Sequence, residues 1–165
     1  RALAKADIAN SYYLICGEGK LKQQHFELAQ KLGISEKVKL LGFRTDVSEI
    51  LRACDCFVFP SFREGLSVSL MEAMAAGLPC IISDSVPSEC RVTDLAESLD
   101  LNLPIDKWAN AVLEKQSAIR KNTYQEIKNA GYDIEQNAKQ LENVIKHLIQ
   151  PKITWSVENI VEKLG

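Results

Sequence analysis

Apolar residues along this chain follow two rhythms. Four short, largely apolar runs lie between turn signals, at residues 12–16 (YYLIC), 38–41 (VKLL), 56–59 (CFVF) and 80–83 (CIIS). Each is too short for a helix and rich in β-branched or aromatic residues, so each predicts a strand. Between them the apolar positions open out to helical spacing, over residues 21–32, 47–53 and 67–76. Gly33 ends the first of these, and Gly77-Leu78-Pro79 ends the last with the glycine-then-proline pattern of helix stops. Continuous apolar strands that alternate with helices describe βαβ units, whose parallel sheet is covered on both faces. The expected architecture is α/β: an open, doubly wound, Rossmann-like parallel sheet with helices on both faces.

A fifth short strand is expected near residues 97–101. Beyond it the pattern turns helical and charged over 105–119 and 133–149, two helices expected to pack on the sheet or its edge. After Pro151 an amphipathic tail helix follows, with Trp155, Val157, Ile160, Val161 and Leu164 mostly on one stripe. The domain reading is therefore 1–149 as one domain and 150–165 as a tail. The opening, RALAKADIANSYYLICG, reads as a helix end running straight into a strand, as in an excised half of a larger protein.

Composition narrows the classes. With 165 residues, 46% hydrophobic and 25% charged, the chain suits one globular domain with its own core. Twenty basic residues against 22 acidic ones leave a formal charge of -2, so no broad basic face calls for nucleic acid. The five cysteines (Cys16, Cys54, Cys56, Cys80, Cys90) are odd in number and mostly inside or beside apolar runs. They read as reduced core thiols of a cytosolic protein, without the spacing of a metal site. No run of 18 apolar residues and no secretory-type start is present. Association with a membrane surface through another part of a larger protein stays open.

One segment stands apart. In REGLSVSLMEAMAAGLPC, residues 63–80, everything from 66 to 76 is apolar or small except two serines and Glu72, while Glu64 stands eight positions before Glu72 and next to Gly65. In an open parallel sheet, ligands bind at the carboxyl ends of strands, where loops lead into helices. Residues 56–76 have that form: a strand, a loop over 60–65, then a helix starting near Leu66 or Ser67. The first amides of such a helix lack intrahelical acceptors and carry the positive end of its dipole, and a glycine lets a ligand approach the backbone. A phosphate fits there. Glu72, expected to be buried, needs a partner, because an unpaired carboxylate in an apolar setting is costly. The vicinal hydroxyls of a ribose would supply two donors, and Glu64 on the loop suits the hydroxyls of a second ring beyond the phosphates. The plainer alternative is that these acids serve the helix dipole, with Glu72 paired to a lysine such as Lys39.

With these residues in view, PSFREGLSVSLMEAMAAGLPCIISD resembles the hallmark segment of the GT-B family 4 retaining glycosyltransferases, glycosyltransferase group 1. It has proline-serine, glutamate-glycine, a second glutamate after seven residues, alanine-methionine, alanine-glycine and a proline entering the next strand. YYLICGEGK and VKLLGFRTDVSEILRACDCFVFPS follow the family's order and spacing. SDSVPSEC is similar to the variant of capsular and exopolysaccharide transferases. The resemblance spans roughly residues 11–149 and implies the carboxyl-terminal, donor-binding half of a two-domain enzyme. By position it implies that Glu64 contacts sugar hydroxyls near the reacting carbon, in the catalytic role, and that Glu72 holds the ribose diol. The amides of Gly65, Leu66 and Ser67 would meet the sugar and diphosphate, Gly17 and Gly19 border the nucleotide, and Gly42 and Phe43 lie near the base. It further implies a UDP- or GDP-linked donor, no metal or other cofactor, an amino-terminal acceptor-binding domain as partner, and surface-polysaccharide assembly in the cytoplasm, at the inner face of the membrane in the full-length protein. The family's early Arg and Lys-Gly motif is missing here. The sheet is therefore expected to lack its first strand and the site its main cations, giving weak donor binding and no turnover.

Other residues carry two readings each. Arg63 either assists a phosphate or selects the sugar, or is a solvated loop residue; Arg44 and Lys20 face the same choice. Gly17 and Gly19 make either a nucleotide border or a tight turn. His25 and His147 sit in polar helices and read as surface residues. Glu89 serves the cleft or a helix start, Ser61 caps the loop, and Tyr12, Tyr13, Phe57 and Phe59 read as core. Two rival functions remain. One is a non-catalytic nucleotide-sugar-binding or assembly module. The other is a Rossmann-like oxidoreductase, disfavoured because CGEGK lacks the third glycine of the dinucleotide fingerprint.

Overall fold

A computed structural model describes residues 1–115 and 118–149. The strands are β1 Tyr13–Cys16, β2 Val38–Gly42, β3 Phe57–Phe59, β4 Cys80–Ser83 and β5 Ala96–Leu99. The helices are α1 Ala2–Ala6, α2 Lys22–Lys31, α3 Val47–Ala53, α4 Val68–Ala75, α5 Ile105–Lys115, α6 Tyr124–Asn129 and α7 Ile134–Ile149, with short 3-10 turns at Ser35–Lys37 and Ser88–Cys90. The alternation read from the apolar runs is observed; β5 begins one residue before the expected start, and α6 was not anticipated. The expected tail helix, with Trp155 to Leu164, lies outside the described residues.

Among the described residues all strand pairs are parallel, and they form two ladders: β1–β2, and β3–β4–β5 with β4 in the middle. The second ladder is covered on both faces, as the period-two alternation of a strand requires. Cys80 and Ile82 of β4 point into a cluster with Leu51, Leu70, Met74 and Leu78, joined by Phe57 and Phe59 of β3. Ile81 points the other way, into a cluster with Trp108, Ala111 and Val112 of α5, joined by Val58, Leu99 and the α1 residues Ala2 and Leu3. Helices α3 and α4 thus cover one face, and α1 and α5 the other. Trp108 and Val112 recur at helical spacing, and the Trp108 indole N–H is satisfied by the Asp100 carbonyl at 3.2 Å.

The first ladder differs. Leu14 and Ile15 of β1 are 41% and 39% exposed, and Ala29 is the one buried residue of α2. Tyr12, read as core, is 65% exposed and carries the Lys39 ammonium 5.6 Å from its ring centroid. Cys16 is likewise exposed rather than a core thiol.

A strap crosses the carboxyl ends of α3 and α4. The Arg120 guanidinium donates to the carbonyls of Leu51, Arg52, Cys54 and Ala76, where orphan helix carbonyls collect. Thr123, 1% exposed, donates to the Met74 carbonyl at 2.7 Å. Gly77 is required beneath it: its φ is +73°, and a Cβ would stand 2.3 Å from the Lys121 carbonyl oxygen.

The chain divides into two compact units, 1–127 and 128 onward, a boundary inside the stretch read as one domain. In the second unit Asp133 accepts from the Gln136 amide at 2.8 Å at the start of α7, which has no buried residue. Among the described residues no helix is long and apolar enough to cross a membrane.

Candidate functional site

The loop between β3 and α4 leaves the carboxyl end of the best-covered ladder. Helix α4 begins at Val68, with Ser67 as its N-cap: the Ser67 hydroxyl, 2% exposed, accepts from the Leu70 amide at 3.4 Å, and its carbonyl accepts from Met71 at 3.1 Å. The amides of Gly65, Leu66 and Ser67 meet no acceptor among the described residues. Gly65 has no positive φ, and a Cβ there would meet nothing within 4 Å. Neither backbone strain nor packing within the protein calls for glycine at that position.

Glu64 is half-buried. Its Oε1 accepts from the Ser61 hydroxyl at 2.8 Å. The loop is also tied to its surroundings: Ser83, fully buried at the end of β4, donates to the Ser61 carbonyl at 2.5 Å, and the Cys90 thiol donates to the Gly65 carbonyl at 3.3 Å. Ser61 therefore holds an acid inside the loop rather than merely capping it. Ser83 and Cys90 were missed from the sequence; the signal available was their place in polar-apolar junctions that follow a strand, SDSVPSEC.

Glu72 corrects an expectation. It is exposed rather than buried, because α4 buries Leu70, Met71, Ala73 and Met74 and turns Val68, Ser69, Glu72 and Ala75 outward. It makes no ion pair among the described residues, and Lys39 lies on Tyr12 instead. Burial therefore does not demand a partner for its carboxylate.

At the ends of the first ladder, Gly17 and Gly42 are brought together. The Gly17 amide donates to the Gly42 carbonyl at 2.7 Å, both residues have positive φ (116° and 67°), and Gly42 is buried. Gly19 is exposed and its carbonyl accepts from Lys22 at 3.1 Å, opening the first turn of α2. Phe43 is 77% exposed. Arg63 and Lys20 are exposed with no ion pair among the described residues, whereas Arg44 is engaged by Asp46 at 2.5 Å. That pairing raises the arginine's pKa and lowers the carboxyl's. His25, His147 and Glu89 are exposed, Glu89 within 3.2 Å of the Ser88 hydroxyl.

Burial pushes the Cys80 thiol up to about 12 and Cys56 to about 11, so both are protonated and inert at neutral pH. Among the described residues no group of three or more His, Cys, Asp or Glu is placed to hold a metal ion. A shallow depression of about 290 Å³ in the second unit, lined by Lys128, Asp133 and Lys139 among others, includes none of these site residues.

Comparison with known proteins places this loop in a family. The chain is 37% identical over 135 residues to "Putative glycosyltransferase EpsF" of Bacillus subtilis (strain 168), covering 79% of this chain and 35% of that protein. It is 33% identical over 108 residues to the UDP-Gal:alpha-D-GlcNAc-diphosphoundecaprenol alpha-1,3-galactosyltransferase of Escherichia coli, covering 64% of this chain and 28% of that one. The chain thus spans about a third of the length of the curated relatives it matches. Its fold is that of GT-B glycosyltransferases. It superposes on Anabaena Alr3699/HepE, solved in complex with UDP-glucose, with a TM-score of 0.68 at 20% identity, over 88% of this chain and 44% of that one. The model of the family described as "Glycosyl transferases group 1" matches residues 1–100, which take in both ladders and the whole loop from Ser61 to Ser67, and the chain belongs to that family.

Proposed function

We propose that this chain is the donor-binding part of a retaining glycosyltransferase that moves a sugar from a nucleoside-diphosphate sugar to an acceptor hydroxyl in surface-polysaccharide assembly. The observation that carries the reading is the loop over 61–67: three amides without acceptors and a glycine without a packing or strain requirement among the described residues, and a carboxylate held by one of its oxygens. A relative named for transfer from UDP-galactose, and a neighbour solved with UDP-glucose, support the substrate class.

In this reading the diphosphate lies at the start of α4, where free amides and the helix dipole favour negative charge. Glu64 takes the hydroxyls of the donor sugar and stabilises positive charge developing at the reacting carbon. Glu72, on the outward face of α4, accepts from the ribose diol. Gly17, Gly19, Gly42 and Phe43 border the nucleoside, whose base is uracil or guanine, and Arg63 meets a phosphate or the sugar. The acceptor attacks from the side of the leaving group, and a diphosphate oxygen takes its proton, so the configuration is retained without a histidine base. No metal or other cofactor takes part.

A further strand between β1 and β3, with the Arg and Lys-Gly cations of the same domain that neutralise the diphosphate, and a second domain that binds the acceptor complete the site in the whole protein. That protein works in the cytoplasm at the inner face of the membrane. By itself the chain binds donor weakly and turns nothing over.

Nuclear magnetic resonance titration with UDP, GDP, UDP-glucose and NADH tests this. A uridine or guanosine diphosphate should shift the amides of residues 64–72 and of Gly17, and Glu72→Gln should weaken that binding by about 1–3 kcal/mol. Shifts with NADH alone would overturn the reading, and an unchanged affinity in Glu72→Gln would remove the ribose assignment. Donor binding by the full-length protein without transfer or hydrolysis would favour a non-catalytic module.

A further inference from the structure

We propose that Ser83 and Ser61 are positioning residues for Glu64: Ser83 fixes the backbone of residue 61, and the Ser61 hydroxyl holds one carboxylate oxygen and reserves the other for the donor sugar. This rests on the donor reading above and adds to it the device that sets the acid.

The two serines lie 22 residues apart in sequence but at the ends of neighbouring strands, since Phe59 of β3 is in register with Ile82 of β4. Ser83 is 0% exposed, so its hydroxyl has no water to fall back on and must spend its proton within the protein. It donates to the Ser61 carbonyl, which fixes the backbone of residue 61 against the rigid central strand. From there the Ser61 hydroxyl reaches Glu64 Oε1 at 2.8 Å and the Arg63 carbonyl at 3.2 Å. One proton serves one acceptor at a time, and the charged, nearer carboxylate is the stronger. Cys90, 2% exposed, holds the Gly65 carbonyl on the other side of Glu64, so the acid stands between two anchored points of the loop. Glu64 Oε2 meets no donor among the described residues.

A glutamate on a free loop would have to give up its rotamer freedom each time a sugar bound. Here the two serines have already restricted it, which favours binding and an aligned reacting carbon. The effect must fall on the sugar, not on the nucleotide: Ser61→Ala should lower affinity for a sugar nucleotide about three- to tenfold more than affinity for the nucleoside diphosphate.

The test titrates the 165-residue chain and its variants with UDP, GDP, UDP-glucose, UDP-N-acetylglucosamine and GDP-mannose. In Ser61→Ala the preference for the sugar-bearing ligand over its diphosphate should shrink, Ser61→Thr should restore it, and Ser83→Ala should give the same signature. In a Glu64→Ala background, Ser61→Ala should add nothing. A wild-type preference in Ser61→Ala, or additive losses in the double variant, would overturn the proposal while leaving the donor reading intact. Binding of none of the five ligands by the wild type would instead defeat the donor reading. A second measurement needs no ligand: side-chain scalar couplings of Glu64 should report one rotamer in the wild type and averaging in Ser61→Ala. Equal averaging in both would overturn the positioning role.

Discussion

β1 and β4 are both four-residue strands of apolar character, YLIC and CIIS, yet they have opposite fates. Every residue of β4 is buried, and its two isoleucines are 0% exposed, while Leu14 and Ile15 of β1 stay 41% and 39% exposed. The difference lies in their neighbours. β4 pairs on both edges and is covered by α3 and α4 on one face and by α1 and α5 on the other, whereas among the described residues β1 pairs with β2 alone. An apolar run thus declares a strand, but its burial is a property of what lies next to it. Cohesion is concentrated in the second ladder, and that ladder carries the loop with Glu64.

Truncation should expose this contrast most sharply. Ile81→Ala or Ile82→Ala removes fully buried methyl groups and should cost about 2–5 kcal/mol, while Ile15→Ala should cost less than about 1 kcal/mol. Urea unfolding midpoints measure both. If Ile82→Ala does not fold, Ile82→Val, at about 0.5–1.5 kcal/mol, keeps the comparison readable. Equal costs at 15 and 82 would mean that β1 is as well covered as β4.

The same contrast explains what could be read from the sequence. Strands and helices of the first 115 residues were legible because each has a pure period, and the glycine stops at 33 and 77 were in place. Burial was less legible. Glu72 looked buried because its neighbours in sequence are apolar, but a helix packed on one face also turns small and apolar residues such as Val68 and Ala75 to solvent. Tyr12 and Cys16 looked like core for the same reason. The loop with Glu64, Gly65 and Ser67 could be found because strand, glycine and helix start are consecutive. Its supports at Ser83 and Cys90 come from later elements, and only tertiary pairing of β3 with β4 brings them to it. Arg120 was invisible for a similar reason, since its four carbonyl partners lie at or just past the ends of two helices far earlier in the chain.

Arg120 gives the next test. Helix α3 is the connection from β2 to β3, so the strap that gathers its last carbonyls with that of Ala76 fastens the junction between the two ladders. Arg120→Ala should cost about 1.5–3 kcal/mol, and Arg120→Lys should recover little, because an ammonium lacks the planar fork that spans several carbonyls. Denaturation followed separately by β1 and β4 amide exchange would show the first ladder opening earlier in the variant. A uniform change across both ladders would mean that the strap stabilises the unit as a whole.

The well-covered ladder should also betray itself in alkali. Cys80 has its folded pKa raised by burial from 9.0 to about 12. Between those values the folded state holds a proton that the unfolded state has lost, so stability is full below about pH 9 and falls as pH rises toward 12. The slope is about 1.4 kcal/mol per pH unit for that thiol. Cys80→Ala should lower stability at neutral pH and flatten the decline above pH 9 relative to the wild type.

The smallest expected effect lies in the open ladder. Lys39 on β2 rests over the ring of Tyr12, just before β1, and both side chains are exposed. At such a site a cation over an aromatic face contributes about 0.5–1 kcal/mol. Lys39→Met keeps most of the side chain's length and apolar stem, so its cost should be at the low end and should diminish further as salt is added. Thermal melting of Lys39→Met and Tyr12→Leu, singly and together, measures the coupling. A coupling of several kcal/mol would show that β1 and β2 are bound by specific side-chain pairs. The small value expected here leaves the ladder dependent on its backbone pairing, and so open to whatever forms its other edge.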